Sequence, residues 1–297
     1  MTQGDQPKAR FVWPPVRPAA QVHTATPDPE SLDDSEPAPA LTAPIPRGFR
    51  SGLLEFERTW LGLTKPPLSE RMAAANWMPD APERYCHRCG TTAGPHDTDG
   101  SGCSWCREHK VIWERTIRLG EFKGMLREVV HDVKFSRWRR LGRDIGRMLG
   151  QAIDVALEDN GIKRDQAVIV PVPMSLTRRL TRGIDHATVI ARGAAEVTGL
   201  PLVHALTRRY ARPQAGLSAT ARQSNIAGKF TPIRGVDLSG LTIVLLDDVT
   251  TSRATLRAAF KAIALGHREL GSKTGVPPPR MWAAVVGVTP QPANRPA

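Results

Sequence analysis

The sequence predicts an α/β protein in which a parallel β-sheet carries helices on both faces, preceded by a small cysteine knuckle and a proline-rich disordered tail. Three observations lead there. Short apolar runs at 167–173, 241–246 and 281–288 alternate with segments of helical periodicity, the pattern of parallel strands joined by crossover helices. Cys86-His87-Arg88-Cys89 and Cys103-Ser104-Trp105-Cys106 form two CxxC pairs separated by 13 residues. Half of the 26 prolines fall in residues 1–80, where segments such as Pro27-Asp28-Pro29-Glu30 can hold neither helical nor ladder hydrogen bonds.

The tail comes first. Residues 1 to about 48 read as disordered, and a weakly apolar stretch around Leu53–Leu63 and Trp77 can pack on the folded part as a short helix. Composition thus divides the chain into a tail at 1–80, a knuckle at 81–110, an α/β body at 111–290 and a disordered end at 291–297. In the knuckle, each CxxC pair places two thiolates on one turn. Two such turns complete a tetrahedral shell of four sulfurs, Cys86, Cys89, Cys103 and Cys106, which suits a structural Zn2+. Gly90, Gly94, Gly100 and Gly102 supply the tight turns. The alternatives are redox dithiols or an iron–sulfur cluster, but neither pair opens a helix of a βαβ unit as a redox motif should. His87, His96 and His109 lie nearby and read as solvent-facing.

The body opens with helical periodicity from Glu121 to about Asn160. Leu141, Ile145, Met148, Leu149, Ile153, Ala156 and Leu157 make one apolar stripe, with Asn160-Gly161 as its stop. Lys134, Arg137, Arg139, Arg140, Arg143 and Arg147 lie ahead of that stripe and on its other face, as a solvated surface or one that meets phosphates. Ala167 to Pro173 is a buried strand ended by its prolines. A turn and helix follow from Ser175 to about Val197, stopped by Gly199-Leu200-Pro201. Leu241–Leu246 is the second strand, Thr255–Leu265 a helix closing at Gly266, and Met281–Val288 the third strand.

Charge and composition exclude some functions. The chain has 41 Lys+Arg against 29 Asp+Glu, a formal net charge of +12, and residues 81–297 hold 33 basic and 19 acidic residues. A balance of that sign favours polyanionic partners. No run reaches the ~18–20 apolar residues of a membrane span, and the N-terminus lacks the pattern of a secretory leader. Four cysteines in 297 residues are too few for a secreted disulfide scaffold, so a cytoplasmic protein is expected.

In open α/β sheets, ligands bind beyond the carboxyl ends of the strands. There the second strand runs into Asp247-Asp248-Val249-Thr250-Thr251-Ser252-Arg253-Ala254-Thr255. Adjacent carboxylates can accept hydrogen bonds from a ribose diol or hold hydrated Mg2+. Hydroxyls and free N–H groups at a helix start bind a phosphate. A turn in which Asp247 and Asp248 merely cap the loop explains the same residues.

The run Leu245–Leu256 resembles the phosphoribosyl pyrophosphate (PRPP) loop of type I phosphoribosyltransferases, and the surrounding motifs narrow the resemblance to the ComF (competence protein F) family. The four-cysteine element, the segment Leu126–Phe135, the strand Val170-Pro171-Val172-Pro173 and the helix start Arg182-Gly183-Ile184-Asp185-His186-Ala187 follow in the family's order across roughly 84–288. The segment holding Leu206-Thr207-Arg208-Arg209, Gln214, Leu217, Arg222, Asn225 and Phe230 resembles its linker. The resemblance implies a phosphoribosyltransferase-type Rossmann-like sheet and Mg2+-dependent displacement of pyrophosphate from PRPP. Asp247 and Asp248 would hold the ribose diol and organise Mg2+. Thr250, Thr251, Ser252, Ala254 and Thr255 would line the 5′-phosphate, and Val172 and Pro173 would face pyrophosphate. The stretch 208–230, with Gln214, Arg222 and Asn225, would be a flap closing over the site. The family loop usually reads Thr-Thr-Gly-Ala-Thr, and here Ser252-Arg253 replaces its Thr-Gly. Glycine admits φ > 0, which arginine adopts at a cost. Arg253 either lends its guanidinium to the phosphate or points away and weakens the site.

Three functions fit these residues: a ComF-like phosphoribosyltransferase, a catalytically silent fold that binds single-stranded DNA or RNA, and an adaptor that docks a protein partner through its knuckle and tail. Arg178, Arg179 and Arg182 can meet pyrophosphate or merely solvate a helix start, and His186 reads as a surface or packing residue. Trp105, Trp113, Phe122, Phe135 and Trp138 are the aromatics near the basic face, better suited to packing than to stacking on bases.

Overall fold

Continuous apolar runs become strands buried on both faces, and the computed structural model shows this in its centre. It describes residues 66–94, 96–135, 139–175, 184–208, 229–270 and 275–290. The expected tails at 1–48 and 291–297, the apolar stretch 53–63, Arg178, Arg179, Arg182 and the flap residues Gln214, Arg222 and Asn225 lie outside the described residues.

In chain order the elements are α1 (Leu68–Ala74), β1 (Thr98–Asp99), β2 (Gly102–Cys103), α2 (Ser104–Glu108), β3 (Arg115–Glu121), α3 (Gly124–Phe135), α4 (Arg139–Asp159), β4 (Ala167–Pro171), α5 (His186–Thr198), β5 (Leu206–Arg208), β6 (Phe230–Pro232), β7 (Thr242–Thr250), α6 (Ala254–Leu270) and β8 (Arg280–Val288). Strands β3, β8, β7 and β4 form one parallel sheet in that order. On one face α3, α4 and α5 cover Ile117, Ile169, Val244, Leu246 and Ala284. On the other, α6 and the cysteine knuckle cover Val168, Val170, Ile243, Leu245 and Val285. This is the expected α/β architecture with a four-cysteine cluster, and it is compatible with a phosphoribosyltransferase-type Rossmann-like sheet. The knuckle is part of the core, since its four cysteines pack in the same cluster as Leu245 and Phe260. Residues 66–80, grouped by composition with the tail, include α1, whose Leu68 is buried against the helical layer, and Trp77, which packs on the same cluster.

Within the body, the structure also departs from the sequence reading. The helical region 121–160 is two helices, α3 and α4. Helix α6 runs through Gly266, where the missing Cβ lets the helix meet β6: a Cβ there would lie 2.8 Å from Pro232 Cβ. Edge strand β3 is new. Its Arg-Thr-Ile-Arg-Leu-Gly run lacks the continuous apolar character of a buried strand because Arg118 is buried with its own partners. The Arg118 guanidinium pairs with Asp80 at 2.6 Å, donates to the Gly90 carbonyl at 2.7 Å and lies over the Tyr85 ring.

Helices α4 and α5 approach until their backbones touch. Gly142, Gly146 and Gly150 recur every four residues on α4, each costing about 1 kcal/mol of helix propensity relative to Ala. A Cβ on Gly146 would lie 2.1 Å from the Ile190 carbonyl oxygen, and one on Gly193 of α5 would lie 2.2 Å from the Arg143 carbonyl oxygen. The glycines are there for that contact. Gly146→Ala is therefore expected to lower the unfolding free energy by about 3 kcal/mol. Gly100→Ala, with nothing within 4 Å of the new methyl, should change it by less than about 0.5 kcal/mol; urea denaturation of both variants checks this.

Candidate functional site

Strand β7 lies between β8 and β4, so its carboxyl end opens at the middle of the sheet edge. Successive side chains on a strand project to opposite faces, and this separates the two carboxylates. Asp248 turns toward the α3–α5 layer, where its Oδ2 lies 2.7 Å from His186 Nε2 and 3.2 Å from Lys134 Nζ. His186 is the first residue of α5, held there by the N-cap Asp185, whose carboxylate accepts the Thr188 N–H. Lys134 is in the last turn of α3. Burial raises the Asp248 pKa, but His186 and Lys134 outweigh it and hold this carboxyl below its ordinary value. Asp247 behaves oppositely. Burial and then the adjacent Asp248 charge push it up to about 8, against the pull of the Asp248 N–H, Lys134 and Arg208. Near neutral pH the pair holds one negative charge, on Asp248, and one displaceable proton, on Asp247. Two oxygen-donor side chains of this kind suit a hydrated Mg2+ or a diol.

The chain then turns into α6. Thr251 and Ser252 are exposed, while Thr250 is buried beside β8. The Thr251 and Thr289 hydroxyls lie 3.0 Å apart. Arg253 adopts φ 59°, the left-handed conformation that the glycine of the resembled loop would supply. Its side chain is buried and directed away from the loop interior. Nε donates to the Cys89 carbonyl at 2.9 Å, Nη2 donates to the Thr91 hydroxyl, and the guanidinium lies 4.3 Å from the Trp105 ring centroid. Of the two placements open for Arg253, the structure has the one that points away. The donors at this turn are the Thr251 and Ser252 hydroxyls and the first N–H groups of a 17-residue helix, groups of the kind that can hold an anion.

Val172 is buried, its N–H bonded to the Leu246 carbonyl at 2.8 Å, so the segment after β4 is tied to the base of the same edge. Pro173 lines a cleft of about 390 Å³ with Asp185, Thr188, Arg192, Thr207 and Arg208. Strands β5 and β6 pair antiparallel and bracket residues 209–228, so the two ends of the expected flap meet beside this cleft. A second groove, of about 520 Å³, runs between α4 and α5. It is lined by Arg139, Arg140, Arg143 and Arg147 of one helix and Arg192 of the other.

The cysteines converge as expected. Cys86 and Cys106 sulfurs lie 3.6 Å apart, Cys89 and Cys103 3.5 Å, and Cys103 and Cys106 3.9 Å, with all four within 4.8 Å of one another. Sulfurs held tetrahedrally at ~2.3 Å from one ion would be separated by about 3.8 Å, so the set fits a metal such as Zn2+. Gly102 has φ 104°, and a Cβ there would come within 2.8 Å of Cys106 Sγ. Contacts with Cys106 and Cys89 lower the Cys86 thiol, and contacts with Cys86 and Cys89 raise Cys106, so the cluster shares protons that a metal ion would displace. His109 stacks on Trp105 instead of joining the cluster.

Two residues of this site escaped sequence reasoning. By sequence Lys134 groups with a basic face, and His186 reads as a surface or packing residue. Their shared partner, Asp248, is 114 and 62 residues away in the chain, and the one signal for them was that both fall in segments resembling the family's motifs. His186→Ala leaves a buried carboxylate with one partner fewer, and should cost about 3 kcal/mol of stability. Adding Asp248→Asn in the His186→Ala background should recover part of that loss, which a double-mutant cycle of urea transitions measures.

No helix among the described residues is long and apolar enough to cross a membrane. No family model matches the chain. The chain is distantly homologous to proteins named DNA utilization protein YhgH. The one from Salmonella typhi is 27% identical over 173 residues, 58% of this chain and 74% of that protein. The one from Escherichia coli K12 is 25% identical over the same length, with the same shares covered.

Proposed function

We propose that the carboxyl edge of the sheet binds PRPP with Mg2+ and that the protein is a ComF-like phosphoribosyltransferase acting in the use of DNA or its nucleotides. The observation that carries this reading is the convergence of Lys134 and His186 on Asp248, with Asp247 next to it at the end of β7, one turn ahead of a helix N-terminus. Asp247, a half-buried residue where Asp248 is buried, would take the ribose diol and a Mg2+-bound water. Asp248, pinned by His186 and Lys134, would keep its charge under the anomeric carbon as positive charge develops there. Thr251, Ser252 and the N–H groups of Ala254 and Thr255 would hold the 5′-phosphate, with Thr250 and Arg253 shaping the turn. Val172-Pro173 would face pyrophosphate, and Gln214, Arg222 and Asn225 would close over the bound ligand. Mg2+ would offset the pyrophosphate charge as it leaves. In the knuckle, Cys86, Cys89, Cys103 and Cys106 would hold a structural Zn2+. The distant homology to proteins named for DNA utilization supports placing the chain in that setting.

Calorimetric titration of PRPP into the protein tests this. Binding should require Mg2+ and be lost in Asp248→Asn. Because Asp247 sits near pKa 8 without ligand and the metal displaces its proton, affinity should rise with pH up to about 8 and flatten above. The limit of that rise is about tenfold per pH unit. Asp247→Asn should remove the pH dependence along with most of the affinity. Absence of Mg2+-dependent binding to the wild type would end the reading.

A second reading rests on the arginine groove. Arg139, Arg143 and Arg147 are spaced at four residues, about 6 Å apart along α4, and Arg192 closes the row from α5. Glu196 and Asp144 pair with Arg143 and Arg147, whereas Arg139, Arg140 and Arg192 hold no ion pair among the described residues. Arg192 also lines the cleft beside Pro173, so a nucleic-acid strand on the groove would lead toward the carboxyl edge. Single-stranded oligonucleotide binding should weaken steeply with salt. The slope of log K against log salt should become shallower by about 0.7 for each of Arg139→Ala and Arg192→Ala, read by fluorescence anisotropy. Unchanged slopes would remove the groove from consideration.

A further inference from the structure

In most loops of this shape glycine would be the economical residue at position 253, because an L-residue in the left-handed region costs about 1–2 kcal/mol. Here that position holds the bulkiest cation, with the side chain 1% exposed. The compensation is specific. Two guanidinium nitrogens bond to the knuckle, at the Cys89 carbonyl and the Thr91 hydroxyl, and a third contact returns to the Thr251 carbonyl at 3.4 Å. The flat face of the guanidinium rests on Trp105, the residue immediately before Cys106. All three knuckle contacts are therefore a ligand cysteine or lie within two residues of one. A divalent ion held by four thiolates leaves a doubly negative centre, and Arg253 is a buried cation placed beside it from outside the knuckle. Its backbone meanwhile forms the turn between β7 and α6, and its carbonyl accepts the Arg257 N–H at 3.0 Å, closing the first turn of α6.

We propose that Arg253 is a positioning residue that couples the metal-loaded knuckle to the phosphate loop, so that each is ordered only when the other is. The ordering of the loop stands on geometry alone, and its consequence for ligand affinity rests on the PRPP reading above. Reciprocity follows from linkage: whatever factor zinc adds to loop occupancy, an occupied loop adds to zinc retention.

Hydrogen exchange of the full chain, followed at peptides covering 249–257 and, for reference, 145–153 of α4, tests the coupling. Removing zinc from the wild type should speed exchange at 249–257 by about tenfold or more, within the range of typical couplings. In zinc-loaded Arg253→Gly, which relieves the backbone strain and removes only the strut, exchange at 249–257 should already be fast and should not respond to zinc. Arg253→Lys keeps the charge but loses the two-pronged bonding, and should behave like Arg253→Gly. Wild-type protection of 249–257 in zinc-loaded Arg253→Gly, or in zinc-free wild type, would overturn the proposal. If chelation also exposes α4, the zinc-loaded variants alone decide. Zinc transfer to a chromophoric chelator, with PRPP and Mg2+ as the probe, supplies the reciprocal readout: the ligand should slow transfer from the wild type at least fivefold and leave it unchanged in Arg253→Gly. Equal slowing in both proteins would also overturn the coupling. A wild type that binds no PRPP by calorimetry would instead sink the functional reading, with the exchange data still judging Arg253.

Discussion

Asp248 carries a charge to a place water barely reaches, and the layout of three elements follows from it. A carboxylate buried without partners would be neutralised or would unfold its surroundings. Here α5 begins where His186 meets Asp248 Oδ2, and α3 ends where Lys134 reaches the same oxygen. The N-cap Asp185 fixes the angle at which α5 starts, and the glycine-lined contact with α4 fixes how closely it lies. Burying an ion pair is a weak route to stability. What it supplies here is registration, since the end of β7, the start of α5 and the end of α3 must coincide for the charge to be tolerated. The raised Asp247 is the complement: burial and the Asp248 charge beside it hold the second carboxyl toward its protonated form.

The opposite layer shows the same logic with the signs exchanged. Arg118 and Arg253 are both buried cations, and both donate hydrogen bonds to the segment from Asp80 to Thr92 that carries the first cysteine pair. One comes from the edge strand β3 and the other from the loop after the central strand β7. Together they fasten the knuckle at two points to a sheet that would otherwise need a second helix there. The knuckle therefore takes the place of a covering element, which explains why its cysteines pack among Val170, Leu245 and Phe260 instead of standing apart.

These polar fastenings mark where the sequence stopped being legible. The strands β4, β7 and β8, the α4 stripe and the four-cysteine cluster could all be read because each signal is local: a β-branched run, a period of 3.6, a CxxC spacing. Strand β3 could not, because Arg118 looks like a solvent residue until Asp80, 38 positions earlier, is placed beside it. His186 and Lys134 failed for the same reason, each being defined by a carboxylate far along the chain. At Arg253 the backbone requirement was legible, since a loop of this type asks for φ > 0 and the residue has it. The destination of the side chain was not, because nothing near position 253 announces that Cys89 and Trp105 lie against it.

That last case bears on how a departure from the pattern of a merely resembled family should be weighed. Replacing glycine with arginine in a phosphate loop looks like loss of function if the side chain is imagined in the cradle, where its bulk would exclude the ligand. Placed in the knuckle, the same side chain stays out of the loop and supplies bonds that work against the conformational strain. The strain is local and about 1–2 kcal/mol. A charged guanidinium making two hydrogen bonds and a ring contact works against it, at roughly 1.5–3 kcal/mol for each charged hydrogen bond before the cost of burial. The balance depends on the Cys89 carbonyl, the Thr91 hydroxyl and Trp105 being where the folded knuckle holds them. A glycine loop would keep its shape without the knuckle, whereas this loop keeps it only while the knuckle is assembled.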